Sequence, residues 1–133
     1  MAYFTRTELA ITATTAQTTG VTNSINGILY GVHYSRAVAT PFSSSNLITI
    51  FTGHTTDPIV LKFAPTTATH LEFFPRSKIH TSTGQALSLS TALFFDGVCH
   101  VLANDSLKVR VSNSSGGSAT KNGTLDFIIQ GAG

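Results

Sequence analysis

Charge is the scarcest ingredient of this sequence. Only 11% of its 133 residues are Asp, Glu, Lys or Arg, less than half the ~25% usual in globular proteins. A disordered chain would need charge in place of apolar residues, yet 41% of the chain is hydrophobic, so a folded core is expected. There is no Trp, and a single Cys (Cys99) excludes an intrachain disulfide framework and suits a reducing compartment. No apolar run approaches the ~20 residues of a membrane-spanning helix. The N-terminal residues contain no apolar segment of the kind that opens a secretory signal. These features lead us to expect a soluble protein made in the cytoplasm, without membrane contact.

Basic residues are also few. The net charge is +2, and Arg6, Arg36, Lys62, Arg76, Lys78, Lys108, Arg110 and Lys121 are spread along the chain. A nucleic-acid binder concentrates its basic residues in a stripe, so no nucleic-acid partner is expected. The strong helix formers that cover exposed helices are scarce as well. Thr, Ser, nine Phe and 11 Gly take their place, a composition that favours strands and turns.

Apolar residues alternate with period two almost throughout. The pattern runs through Leu9, Ile11 and Ala13; Ile28, Tyr30, Val32 and Tyr34; Ile48 and Ile50; Ile59, Leu61 and Phe63; Leu71 and Phe73; Leu87, Leu89 and Leu93; residues 98–103; Leu107, Val109 and Val111; and Leu125, Phe127 and Ile129. Turn-forming pairs punctuate it: Asn26-Gly27, Thr40-Pro41, Asp57-Pro58, Asp96-Gly97, Gly116-Gly117 and Asn122-Gly123. Residues 113–122 read as an exposed hairpin loop, and the Thr-rich stretch 14–23 as a loop or edge strand. The chain is therefore expected to be all-β: an antiparallel sandwich of about eight or nine short strands, a jelly roll or a related Greek key. Residues 1–24 form an arm and first edge strand on this reading, and residues 25–133 the sandwich core of one domain. The runs 28–32 and 47–51 are apolar on both faces apart from Gly31, which suggests strands partly covered by a neighbouring subunit.

Chemistry-bearing patterns are few. The five histidines, His33, His54, His70, His80 and His100, include no His-x-His or His-x₃-His pair, and Cys99-His100 is a bare dipeptide whose side chains point to opposite faces of a strand. No metal or other cofactor is expected. No Gly-x-Ser-x-Gly elbow, catalytic cysteine context or phosphate-binding glycine loop occurs, so no catalytic residue is assigned. Carboxylates at Asp57, Asp96 and Asp105 stand at expected turns, where Asp is ordinary. The sequons at Asn104, Asn113 and Asn122 are what a Thr- and Ser-rich chain yields by chance.

Phe73-Phe74-Pro75-Arg76 is a sharper feature. Adjacent rings on a strand face opposite ways, and Pro ends the strand. Either Phe74 and Arg76 form a subunit contact, where aromatics and Arg are enriched, or one ring is core and Arg76 a solvated strand end. Tyr3, Phe4 and Arg6 lie in residues 1–7 and offer aromatic anchors plus a charge. This segment is either a mobile contact arm or a frayed terminus.

The order of these segments resembles a group of small virion proteins of tailed bacteriophages. The likeness rests on Asn26-Gly27-Ile28-Leu29-Tyr30-Gly31-Val32-His33-Tyr34, the strand Leu47-Ile48-Thr49-Ile50-Phe51, Ile59-Val60-Leu61 and Phe74-Pro75-Arg76. It continues through Asp105-Ser106-Leu107-Lys108-Val109-Arg110-Val111-Ser112, Gly116-Gly117 and Gly123-Thr124-Leu125. In that group a Gly-Ile-Ile-x-Ile-x-Tyr strand opens the domain, a Tyr-Pro-Arg-like segment sits mid-chain, and a Lys-Val-x-Val-Ser strand, Gly-rich loop and Gly-Thr close it. The likeness departs where the group carries more charge in its middle loops. It implies a β-sandwich virion component and carries over no catalytic residue. The expected role is a capsid decoration or cement protein bound between capsomers, with the major capsid protein and other copies of itself, as a trimer, for partners. A neck, collar or tail component and a carbohydrate-binding sandwich are the alternatives. Tyr3, Phe4, Arg6, Phe74 and Arg76 are the expected contact residues.

Overall fold

Period-two patterning becomes strand along most of the chain that the computed structural model describes, namely residues 2–13, 17–52, 59–78, 97–113 and 120–132. For Ala2, Ser77, Lys78, Gly97, Val98, Cys99, Asn113 and Ala132 it describes the backbone alone. The expected strand at 87–93, the Asp57-Pro58 turn, the Gly116-Gly117 loop, His54 and His80 lie outside the described residues. The strands are β1 (Ala2–Ala13), β2 (Gln17–Val21), β3 (Ile25–Arg36), β4 (Asn46–Thr52), β5 (Ile59–Phe63), β6 (His70–Phe73), β7 (Arg76–Lys78), β8 (Gly97–Asp105), β9 (Leu107–Asn113) and β10 (Lys121–Ala132). No helix occurs among the described residues. Ten strands occur among the described residues, close to the eight or nine expected, and β1, β3 and β10 are long, at 12 residues each.

Two antiparallel sheets form the sandwich. The first runs β1-β10-β3-β8-β7, with β6 beside β3, and the second runs β2-β9-β4-β5. Strand β3 is shared lengthwise on one edge: its N-terminal part pairs with β8 and its C-terminal part with β6. Four ladders match early strands to late ones in reverse order: β1 with β10, β2 with β9, β3 with β8 and β4 with β5. A long hairpin folded at β4 and β5 and then rolled up gives this order, so the sandwich is a jelly roll.

The inner faces carry the core. Leu29, Val32, Ile50, Leu107, Val109, Val111 and Phe127 are fully buried, each contributing ~1.5–3 kcal/mol by leaving water. Thr22 ties the sheets' connections together: its N–H donates to the Leu107 carbonyl and its Oγ1 accepts from the Leu107 N–H, at 3.0 and 2.9 Å. Asn46, also buried, accepts the Ser43 N–H on Oδ1 at 2.9 Å and so fixes the entry to β4.

Several local expectations change. Residues 2–7 are no mobile arm; they are the first half of β1 and pair with β10 along its length. Asn26-Gly27 is not a turn but lies inside β3, where the register with β8 shifts. Gly27 still uses its conformational freedom there, at φ +139°. Asn122-Gly123 likewise lies inside β10. Gly123 is needed because the Phe42 and Tyr34 rings would stand 2.9 Å from a Cβ there. Thr40-Pro41 does fall in the β3–β4 connection, held by the Asn122 N–H donating to the Thr40 carbonyl at 2.8 Å. Residues 17–21 of the Thr-rich stretch are an edge strand.

Strand β4 is buried on both faces, as its apolar run implied, but it needs no partner for that. Phe51, facing away from the core, is 6% exposed, and the Arg110 guanidinium lies 4.8 Å from its ring centroid. A cationic stem on the same sheet thus supplies the cover.

Candidate functional site

Strand alternation sorts the outward side chains of the first sheet into one broad face. Strand β1 presents Phe4, Arg6 and Glu8 there, β10 presents Asp126, Ile128 and Gln130, and β3 presents Ile28, His33 and Ser35. The β10–β3 register shifts between Ile128 and Ile129, where Gly31 pairs with Ile128 and Leu29 with Ile129. Tyr30 is the extra residue of that bulge. Leu29 stays in the core while Tyr30 is 40% exposed, so the bulge re-aims a large ring toward solvent.

Tyr30 is the hub of an aromatic cluster. Phe4 meets it edge-on with centroids 5.2 Å apart, and Phe74 does so at 5.8 Å. The Arg76 guanidinium lies 5.7 Å from the Tyr30 ring centroid and donates to the Tyr30 carbonyl at 3.1 Å. Gly31 makes room beneath: a Cβ there would stand 3.2 Å from the Phe74 ring. Phe4 and Phe74 remain 58% and 47% exposed. Ile28 and Ile128 are half-buried on the same face, and Val101, opposite Ile28 on β8, is exposed. Contiguous exposed apolar surface of this kind marks an interaction site more often than scattered apolar residues do.

A polar group sits beside the aromatic one. His33 on β3 pairs in register with Glu72 on β6, and His70 lies two residues from Glu72 on the same face. The Glu72 Oε1 is 3.2 Å from His70 Nε2 and 3.9 Å from His33 Nε2, and the two imidazoles meet edge-on at 5.2 Å. On the other flank of β3, Asp126 pairs in register with His33. Its Oδ2 is 4.0 Å from Arg6 Nη1, while its buried Oδ1 has no hydrogen-bond partner among the described residues.

The structure therefore brings Phe4, Phe74 and Arg76 together, places Arg6 on the same face, and separates Tyr3 from them. Tyr3 points to the opposite side of β1, where its ring closes over Gly131. Phe73 turns toward the core and Phe74 outward, as adjacent strand residues must. Tyr30, His33, His70 and Glu72 were not singled out by sequence as site residues. The spacing His70-x-Glu72 signals a shared face once β6 is recognised, but the approach of His33 depends on a cross-strand register that no local pattern shows.

The outer face of the second sheet has a different character. Lys108 and Arg110 on β9 and Lys62 on β5 flank Thr49 and Phe51 of β4 in register. Cations that look scattered in sequence thus share one face. Elsewhere, a cleft of about 180 Å³ is lined by Arg36, Pro41, Phe42, Ser43, Ser44, Thr66 and Thr67, smaller than the ~300–1,000 Å³ of typical small-molecule sites. His100 on β8 has its pKa lowered by burial and, secondarily, by the Arg76 charge. Tyr34 has its pKa raised by burial, which the Arg36 charge partly offsets.

No protein-family model matches the chain, and no curated protein matches it. Among solved structures, the chain is similar to FLHE, with a TM-score of 0.47 and 8% identity over 96% of each chain. It is also similar to the structure of infectious bursal disease virus Gx strain, with a TM-score of 0.38 and 13% identity, over 99% of this chain and 32% of that one.

Proposed function

We propose that this chain is a structural protein of a tailed-bacteriophage virion, a decoration or cement protein that seats on the outer capsid surface between capsomers. The observation that carries the reading is the exposed Phe4–Tyr30–Phe74 cluster with Arg76 on the outer face of the first sheet. Exposed rings held edge to edge on a rigid sheet, rimmed by Arg, have the composition of a protein–protein hot spot. The resemblance to small phage virion proteins supports the same role. The jelly roll is a fold shared by viral capsid and lectin domains, which agrees with the reading as an analogy of fold. On this proposal the aromatic face meets the major capsid protein, other copies complete a trimer, and the protein performs no catalysis.

Quantitative mass spectrometry of the virion, together with a density map of the particle, tests the proposal. Hundreds of copies on the head surface, with Phe4, Tyr30 and Phe74 buried against the capsid, are expected. About a dozen copies would move the chain to a neck or tail ring, following the closed symmetry of such rings. Glycan binding that depended on Tyr30, with no particle association, would favour the carbohydrate-binding alternative instead.

A further inference from the structure

We propose that His33, His70 and Glu72 form a binding site for a divalent transition-metal ion, Zn²⁺ in the first instance, on the outer face of the first sheet. The donor set is two imidazoles and one carboxylate, which suits zinc. One donor atom from each residue lies within 4.8 Å of the other two. Ligands of tetrahedral zinc at about 2.0–2.1 Å stand about 3.3 Å apart. The His70–Glu72 pair already has that separation, at 3.2 Å, and the His33–Glu72 pair is at 3.9 Å. Small side-chain rotations therefore complete the set, with no change in the backbone.

Strand pairing holds these donors side by side. His33 sits on β3, which is paired on both edges here, by β10 and by β6. His33 is the least exposed of the three, with a side chain 21% exposed against 46% for His70 and 51% for Glu72. Metal-bound imidazoles commonly donate their second N–H to a carboxylate, which fixes the ring. Asp126 occupies the register position beside His33 on β10, and its buried Oδ1 lacks a partner among the described residues. It is assigned as the positioning residue for His33.

Three protein ligands on an exposed face leave one tetrahedral position open toward solvent. Closed structural zinc sites use four protein ligands, so this is an open site. Its fourth ligand is water, or a donor from a molecule docked on this face. The site does not depend on the virion reading, because it rests on donor geometry alone.

The test is a Zn²⁺ titration of the tag-free full chain in competition with a chromophoric chelator, with Co²⁺ absorption as the spectroscopic readout. One ion per chain is expected. His33→Ala, His70→Ala and Glu72→Gln should each weaken binding by at least about 10-fold, and Asp126→Asn by on the order of 10-fold. Cys99→Ser and His100→Ala should leave affinity unchanged, which excludes the Cys99-His100 dipeptide as the ligand. Melting in the presence of chelator reports whether each variant is folded. In the parent chain, Zn²⁺ should shift the imidazole NMR signals of His33 and His70, a readout independent of any variant. Absence of binding up to about 1 mM Zn²⁺, or binding that leaves those two signals in place, overturns the site.

Discussion

Replacing Tyr30 by Ala separates a ring that merely packs from a ring that binds. The substitution removes two edge-on aromatic contacts, at 5.2 and 5.8 Å, and the Arg76 contact at 5.7 Å. Aromatic pairs contribute ~0.5–1.5 kcal/mol each beyond area burial, and an exposed cation–π contact ~0.5–1 kcal/mol. The cluster is open to solvent, which places each contribution at its low end. With the partial burial of the ring itself, the expected loss of folding stability is about 2 kcal/mol. Phe127→Ala, at a fully buried ring of the same sheet, should cost ~3–5 kcal/mol. Urea unfolding gives both values from the shift in midpoint at constant slope. The association readout is separate. Truncating an interface hot-spot residue to Ala costs at least ~2 kcal/mol, or about 30-fold in affinity. Sedimentation of Tyr30→Ala with capsid particles should show that loss, while light scattering shows unchanged self-association and circular dichroism a native sandwich. Val38→Ser serves as the control, since Val38 is fully exposed in the β3–β4 connection and should change neither readout. Unaltered particle binding for Tyr30→Ala, alongside the stability loss, would refute an interface role for the cluster.

Two glycines give opposite signs. At Gly27 a Cβ would stand 2.7 Å from the Gln130 carbonyl oxygen, at φ +139°, so Gly27→Ala should lower stability by about 2–4 kcal/mol in urea melts. At Gly20 the nearest atom to a new Cβ, on Leu9, is 3.5 Å away, so Gly20→Ala should be neutral or stabilising by up to about 1 kcal/mol. His100 gives a pH test. Its folded pKa lies below the usual value because burial, and then Arg76, disfavour its charged form. The unfolded chain therefore binds the proton first, and stability is full above about pH 6.5 and falls as pH drops below it. Melting temperatures of His100→Gln should show a shallower decline with acidification than the parent chain, and an equal slope would rule out this assignment.

Much of the fold was legible in the sequence because a sheet face needs only alternation. Leu107, Val109 and Val111, or Leu125, Phe127 and Ile129, each announce a strand and its buried side without reference to any partner. The sequence does not show which strands are neighbours. Asn26-Gly27 and Asn122-Gly123 illustrate the cost: both pairs carry the residues of a tight turn, yet both lie within long strands. Glycine there answers a bulge in one case and two aromatic rings in the other, demands set by residues about a hundred positions away. The candidate site divides the same way. Phe4, Phe74 and Arg76 stood out as aromatics and Arg in unusual local settings. Tyr30 did not, because its outward aim comes from a bulge against β10, and the pairing of His33 with Glu72 exists only in the β3–β6 register.

The low charge noted first in the sequence is also unevenly placed, and the placement decides which face can adhere. On the second sheet, Lys62, Lys108 and Arg110 stand on adjacent strands around Thr49 and Phe51. Two copies meeting through those faces would bring like charges together, which opposes self-association there. Arg110 already covers Phe51, so much of the apolar surface beneath is buried before any partner arrives. The first sheet differs on both counts. Its aromatic cluster leaves Phe4 and Phe74 about half exposed, and its charged groups include both signs, with Arg6 beside Asp126 and Arg76 and Glu72 on consecutive strands. Burying that face removes apolar area from water without forcing cations together, which is why the proposed contact with a capsid protein is placed there. A metal ion held by His33, His70 and Glu72 would sit at the edge of the same contact, with its open position turned toward whatever docks.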